Sequence, residues 1–350
     1  MGARALKWQA PRFRERPPWI GCDLQTLRNS FFGPFRDMPG GQRLLLPMAD
    51  GDRLAARLDG AASGRDPLLV LIHGLAGCET SASIIASARH LAGQGWAVLR
   101  LNLRGSAPSR PTAAGHYHAG RTEDLAEALR RLPHDLTRHG VVLLGQSLGG
   151  NLVLKFMGED GHGLPVLGAA SVSAPLDLAG TCAKMMAPRN FLYHSYMLAA
   201  MKREALAAGA GVSSAERATI AAARNVFEYD DRFIAPRFGY SGALNYYERN
   251  AAKNFLCRIA RPTLILHALD DPWIPASCYT AVDWPRLPSI EALLTERGGH
   301  LGFHGRDSKI AWHDEVTTSW LSRNFRSQGN KGIDGTSGGA RPAPERPAAR

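Results

Sequence analysis

Short apolar runs at residues 68–72, 96–101, 141–146 and 166–173 punctuate the first half of the chain. Each is too short for a core helix and is bounded by turn residues, which predicts buried parallel strands. Between them lie stretches with helical spacing, at about 81–92, 122–132 and 148–157, with Thr122 as the expected cap of the second. Residues 42–47 and 53–59 alternate about Asp50-Gly51-Asp52, which predicts a hairpin, and Asp52, Asp59 and Asp66 read as turn residues. Strand patterns resume at 262–267 and 289–295, and a helix over 311–325 closes the series. Regular alternation of strand and helix predicts an α/β fold, a mostly parallel central sheet with helices on both faces.

Residues 178–257 break that rhythm. They are helix-prone, rich in Ala, Met, Tyr and Phe, and hold no good strand. An insertion between two strands of such a sheet lies above the strand ends, so this one is expected to be a helical lid over a substrate pocket. Met185, Met186 and the stretch 191–201 are its candidate wall, beside ordinary helix packing. The predicted organisation is a basic, poorly ordered N-terminal arm over 1–16, the α/β domain over 17–325 and a disordered basic tail over 326–350. Within the domain, Pro17-Pro18-Trp19 suggests a segment packed over the surface.

With 350 residues, 45% of them apolar, the chain can bury a sizeable core. It has no apolar run of membrane-spanning length and no secretory pattern at its start. Cys22, Cys78, Cys182, Cys257 and Cys278 are odd in number and unpaired in spacing, which suits a reducing, cytoplasmic setting. The net charge is +11, of which +4 falls in residues 1–16 and +3 in 326–350. No nucleic-acid-binding signature accompanies that charge, so no nucleic-acid partner is expected, and weak contact with an anionic membrane stays open. His116, His118 and Asp124 lack metal-ligand spacing, and neither a metal nor a cofactor is expected.

The candidate chemistry centres on residues 141–154, where an apolar run meets Gly145-Gln146-Ser147-Leu148-Gly149 and a helical pattern follows. A turn this tight needs glycine at its flanks and pushes Ser147 out at a strand end. A serine hydroxyl becomes a useful nucleophile only beside a base that an acid orients. Asp271 follows the strand pattern at 262–267, and His300 follows the one at 289–295. Asp270 and Asp177 are alternative acids. His304 and His73 read as structural, His73 as the brace of a loop. Leu148, opening a helix, is expected to give one backbone donor to an oxyanion, and Leu75 of His73-Gly74-Leu75 the other.

These residues resemble the YheT-like branch of the α/β-hydrolase superfamily over about residues 14–325. The likeness rests on Pro17-Pro18-Trp19, Leu24-Gln25-Thr26-Leu27, His73-Gly74-Leu75, Asn102-Leu103-Arg104-Gly105 and residues 145–151. It continues through Tyr229-Asp230, Tyr246-Tyr247, Leu269-Asp270-Asp271-Pro272 and Gly298-Gly299-His300-Leu301-Gly302. The resemblance implies a serine esterase, with Asp271 favoured as the acid because Ile274-Pro275 follows it in the family's manner. The family often has His where this chain has Gln146, a side chain expected to point away from the nucleophile. It often has Cys-Gly-Gly where this chain has Ser106-Ala107-Pro108. Mammalian relatives carry an N-terminal membrane anchor, and none is expected here.

Two functions follow as expectations. One is a carboxylic ester hydrolase for short- to medium-chain acyl esters or acylglycerols, working through an acyl-enzyme on Ser147. The other is a non-catalytic binder or scaffold of the same fold, peripheral to an anionic membrane through its basic ends.

Overall fold

The computed structural model describes residues 10–32, 36–60, 65–159 and 163–326. Eight strands form one sheet in the order β1-β2-β4-β3-β5-β6-β7-β8. They are β1 (Gln42–Pro47), β2 (Arg53–Asp59), β3 (Leu68–Ile72), β4 (Val98–Leu101), β5 (Val141–Gln146), β6 (Val166–Val172), β7 (Thr263–Ala268) and β8 (Ile290–Thr295). β1 and β2 form the antiparallel hairpin expected around Asp50-Gly51-Asp52, β2 joins β4 antiparallel, and every later pairing is parallel.

Helices α1 (Cys22–Phe32), α2 (Ala82–Gly93), α3 (Thr122–Arg130), α4 (His134–Thr137) and α5 (Leu148–Gly158) fall in the first half. The stretch between β6 and β7 holds no strand and is mostly helical. It holds α6 (Leu178–Met185), α7 (Phe191–Ala205), α8 (Ser214–Ala222), α9 (Val226–Tyr229), a π-helical stretch Asp230–Ile234, α10 (Ala235–Arg237) and α11 (Ala243–Asn250). α12 (Ser277–Thr280) and α13 (Trp312–Phe325) complete the α-helices among the described residues, and short 3₁₀ helices such as Pro188–Asn190, just before α7, lie between them.

Alternation along the central strands builds two cores. Leu68, Val70 and Ile72 of β3 join Leu143 of β5 and Leu152 of α5 on one face. Leu69 and Leu71 join Leu144, Ile84 of α2 and Trp320 of α13 on the other. A third cluster lies within the insertion, around Met201, Phe233 and Tyr246. Leu75, Leu148 and Trp273 pack against both the first core and the third, so the seam between sheet and insertion runs through the loops at the strand ends.

Three expectations need correction. Thr122 is the first helical residue of α3 rather than its cap, which is Arg121, and the Thr122 hydroxyl donates to Glu159 Oε2 at 2.6 Å. Asp59 is a buried residue of β2 whose carboxylate takes two hydrogen bonds from buried Arg100, at 2.6 and 3.1 Å. Asp52 lies in the β1–β2 turn, as expected, and accepts from the Arg104 guanidinium and from the Ala114 and Gly115 amides. Residues 10–16 are packed rather than loose. Phe13 sits edge-on to Phe303 and Trp312, the Trp312 Nε1–H donates to Pro11 O, and the Arg16 amide donates to His304 O. The rest of the expected arm, 1–9, and the expected tail from 327 onward lie outside the described residues.

Candidate active site

The Ser147 turn leaves room for nothing larger than glycine at its flanks. A Cβ on Gly145 would meet Gly149 O at 2.3 Å, and one on Gly149 would meet Ile72 O at 2.5 Å. Ser147 takes φ 52° and ψ −121°, outside the regions an L-residue prefers, and is held there from both sides. Its amide donates to Val172 O on β6, and its carbonyl accepts from Gly150 and Asn151 at the start of α5. Gln146 points away from Ser147, as expected, and donates to Ser87 Oγ, which donates to Asp314 Oδ1.

Asp271 lies three residues past β7 and is fully buried. Oδ1 accepts from the Trp273 and Ile274 amides at 2.8 and 3.1 Å, and Oδ2 meets His300 Nδ1 at 2.7 Å. Burial opposes its charge, but His300 and these donors outweigh it and hold the carboxyl below its ordinary range. His300 Nε2 in turn meets Ser147 Oγ at 2.9 Å. The structure thus brings Ser147, His300 and Asp271 into one hydrogen-bonded chain. With the carboxylate on Nδ1, the imidazole carries its proton there and presents an acceptor to the serine. Of the alternative acids, Asp270 braces the histidine loop by accepting from the Gly299 amide at 2.9 Å. Asp177 caps α6 through the Gly180 amide and pairs with Lys253.

The amides of Leu75 and Leu148 have no hydrogen-bond partner among the described residues, and both residues line the cavity beside Ser147. Gly74 comes so close to the serine that a Cβ there would meet Ser147 Cβ at 2.9 Å. His73 braces this loop, as expected. Its Nδ1–H donates to Gly74 O, and its Nε2 accepts from the Leu103 amide at 3.0 Å. Burial lowers its pKa to about 4, which keeps the ring neutral for both roles.

Several residues at the site have no role assigned by sequence reasoning. Thr26 of α1 accepts the His300 amide at 2.9 Å, and α1 lies so close that a Cβ on Gly299 would meet Cys22 O at 2.5 Å. Lys184 of α6 donates to Asp271 O at 2.7 Å and Ile274 O at 2.9 Å. Asn190 donates to Pro272 O at 2.8 Å. Trp273 lies against the His300 ring, centroids 4.3 Å apart.

Above the chain of three is a cavity of about 460 Å³. Its floor includes Ser147, Leu75 and His300, and its walls include Met185, Met197 and Met201 from the insertion. Met186 and Phe191, also candidate wall residues, point outward and are exposed. His116, His118 and Asp124 do not form a metal site. Asp124 pairs with Arg104 and Arg121, and burial pushes both histidines down to about 3. Among the described residues no group of three or more His, Cys, Asp or Glu could hold a metal ion. No described helix is long and apolar enough to cross a membrane.

A hydroxyl paired with an imidazole, in a cavity with two amides that have no partner among the described residues, has the parts needed to attack a carbonyl and stabilise the resulting oxyanion. Known proteins agree with a hydrolase. The family model described as the alpha/beta hydrolase fold matches residues 67–307. YheT of Escherichia coli (strain K12), which bears the name esterase, is 34% identical over 86% of this chain and 90% of its own. Human phospholipase ABHD3 is 27% identical over 75% of this chain and 64% of its own. The esterase Pf2001 of Pyrococcus furiosus matches the fold with a TM-score of 0.55 at 13% identity, over 91% of this chain and all of its own. The family match and the likeness to YheT place this chain in the α/β-hydrolase family, in its YheT-like branch, as a hydrolase.

Proposed function

We propose that the protein is a serine hydrolase that cleaves carboxylic esters through an acyl-enzyme on Ser147. The observation that carries the reading is the unbroken chain Asp271–His300–Ser147 in a cavity also lined by Leu75 and Leu148, whose amides have no partner among the described residues. As Ser147 Oγ attacks the ester carbonyl, His300 Nε2 takes its proton, and the carbonyl electrons become an oxyanion between the two amides. Collapse expels the alkoxide, which receives the proton from His300. Water then repeats the sequence on the acyl-enzyme and frees the acid. Asp271 holds the tautomer and stabilises the imidazolium. The methionine-rich wall and the cavity's size suit short- to medium-chain acyl groups, including those of acylglycerols. The test is fluorophosphonate labelling beside Ser147→Ala, with the labelled peptide located by mass spectrometry. Label on Ser147, absent from the variant, is expected. A folded wild type that neither labels nor turns over an aryl ester sinks the reading.

A second reading, weak contact with an anionic membrane, has an observation of its own. Eight of the eleven exposed large hydrophobics among the described residues lie on two stretches, 20–32 and 186–196. These stretches are joined by Asp23, which pairs with Arg189 and accepts from the Tyr193 hydroxyl. Both also reach the cavity, through Asn29 and Tyr196. Arg28 lies on the first stretch, over the Trp19 ring, and Arg189 lies on the second. Apolar residues with a basic rim suit a surface of anionic lipid. Sedimentation with phosphatidylserine vesicles should fall with added salt and with Phe31→Ser/Leu192→Ser. Salt-insensitive or absent sedimentation removes this reading.

A further inference from the structure

The loop carrying Leu75 is held from above as well as from below. Ala76 follows Leu75 at φ 52°, a left-handed conformation that a non-glycine residue keeps only when its surroundings enforce it. Its N–H donates to Tyr117 Oη at 2.7 Å. The Tyr117 hydroxyl donates its own proton to Glu204 Oε2 at 3.0 Å. Tyr117 lies between β4 and α3, whereas Glu204 lies on α7 of the insertion, and both line the cavity. His73 anchors the same loop to the sheet side. Residues 74–77 are therefore clamped between the sheet and the insertion.

We propose that Tyr117 and Glu204 are positioning residues for the oxyanion donor at Leu75, so that the seating of α7 over the cavity is coupled to the assembly of that donor. Its effect on turnover rests on the acyl-enzyme reading above, while the coupling itself does not. The chemistry follows from the proton count. A phenol has one proton and two lone pairs. An ionised Glu204 takes the proton and leaves the lone pairs to the Ala76 amide. A protonated Glu204 that turns its own O–H toward Tyr117 Oη forces the phenol proton away from it, toward the side from which the Ala76 amide donates. Burial raises Glu204 to about 7, against the opposing pull of Tyr117 and Arg110. The groups facing it are Tyr117, Arg110 and Tyr229. Arg110 stays cationic at neutral pH, and burial pushes both tyrosines up, so Glu204 is the member of this cluster that titrates near neutrality.

The test compares Tyr117→Phe, Glu204→Gln and the double variant on an aryl butyrate, with butylboronic acid as a tetrahedral adduct of Ser147. Outright loss of an oxyanion donor costs about 10²–10³ in kcat, so a misaimed donor in Tyr117→Phe should cost about tenfold. KM should stay within about twofold, because the interaction acts in the transition state. Boronate affinity should fall by the same factor as kcat. Glu204→Gln should remove one ionisation from the acid limb of the kcat profile, and the double variant should be no slower than Tyr117→Phe. Hydrogen exchange at residues 74–77 should quicken in both single variants while residues 141–146 are unchanged. Should Tyr117→Phe misfold, the near-isosteric Glu204→Gln carries the same readouts. A change in KM alone, multiplicative effects or unaltered exchange at 74–77 overturns the proposal. A wild type with no ester turnover but with the expected exchange response sinks the acyl-enzyme reading and leaves the coupling standing.

Discussion

At the strand ends, Ser147, Asp271 and His300 each lie within five residues of a β-strand. Lys184, Asn190 and Glu204 reach the same site from helices of the insertion. The first group meets through side-chain functional atoms. The second meets the first through backbone carbonyls and a tyrosine hydroxyl, and so touches the loops rather than the reacting groups. In the proposed reading the sheet supplies the reactive groups, and the insertion fixes where their loops sit. If that division is right, substitutions at the strand ends should abolish turnover, and substitutions in the insertion should tune it.

The largest effect should come from Asp271→Asn. The amide can no longer hold the productive tautomer of His300, and kcat should fall about 10³–10⁴-fold with the fold intact by circular dichroism. Asp177→Asn should leave kcat within about twofold, since Asp177 caps a helix. A reversed order would move the acid to the end of β6 and break the assignment.

Next in size is Arg100→Met, a change beneath the site rather than in it. Arg100 is fully buried on β4 and bonded to Asp59, Asp37 and the Glu79 carbonyl. Its loss leaves the buried Asp59 carboxylate with only the longer pair to Arg57 at 3.5 Å among the described residues, which should cost up to about 3–5 kcal/mol in urea unfolding. Adding Asp59→Asn should recover part of that loss. The kcat of the folded fraction should not change, which separates support of the sheet from chemistry.

A smaller effect should follow Lys184→Met, which keeps the aliphatic stem but drops both bonds to the acid loop. Loosening that loop should lower kcat about five- to tenfold with little change in KM, measured by steady-state turnover. A change confined to KM would make Lys184 part of the substrate wall and blur the comparison.

The same division explains what could be read in advance. Strands, the glycine-flanked serine turn and the order of Ser147, Asp271 and His300 are carried by short-range pattern, because strand burial and tight turns constrain neighbouring residues. The braces are long-range. Thr26 meets the His300 amide across 274 residues, and Lys184 meets Asp271 across 87, with no periodicity to announce either contact. Asp59 read as a turn residue because only its neighbours were weighed. The usable signal was Arg100 inside an apolar strand, since a buried cation demands a carboxylate. Thr122 read as a cap because Thr favours that position, but its hydroxyl is taken by Glu159.

The finest test of the insertion's role lies away from the strand ends, at Asp230. This carboxyl opens the π-helical stretch, is buried, and accepts the Tyr247 hydroxyl at 2.7 Å. Burial raises its pKa to about 7, with the Tyr247 bond opposing. Between about pH 4 and 7 the unfolded chain has lost a proton that the folded protein keeps, so stability falls as pH rises through that window. Above it the insertion holds a buried charge. Asp230→Asn keeps an acceptor for Tyr247 and cannot ionise. Its thermal midpoint should match wild type near pH 4 and exceed it by a margin that grows up to about pH 7 and then levels off, each kcal/mol being worth about 2 °C in a domain of this size. Glu204 titrates in the same window, so some pH dependence should persist until Glu204→Gln is added. If the midpoints instead diverge as the pH falls, the buried group is a carboxylate stabilised by Tyr247, and the insertion is held by charge rather than by neutral hydrogen bonds.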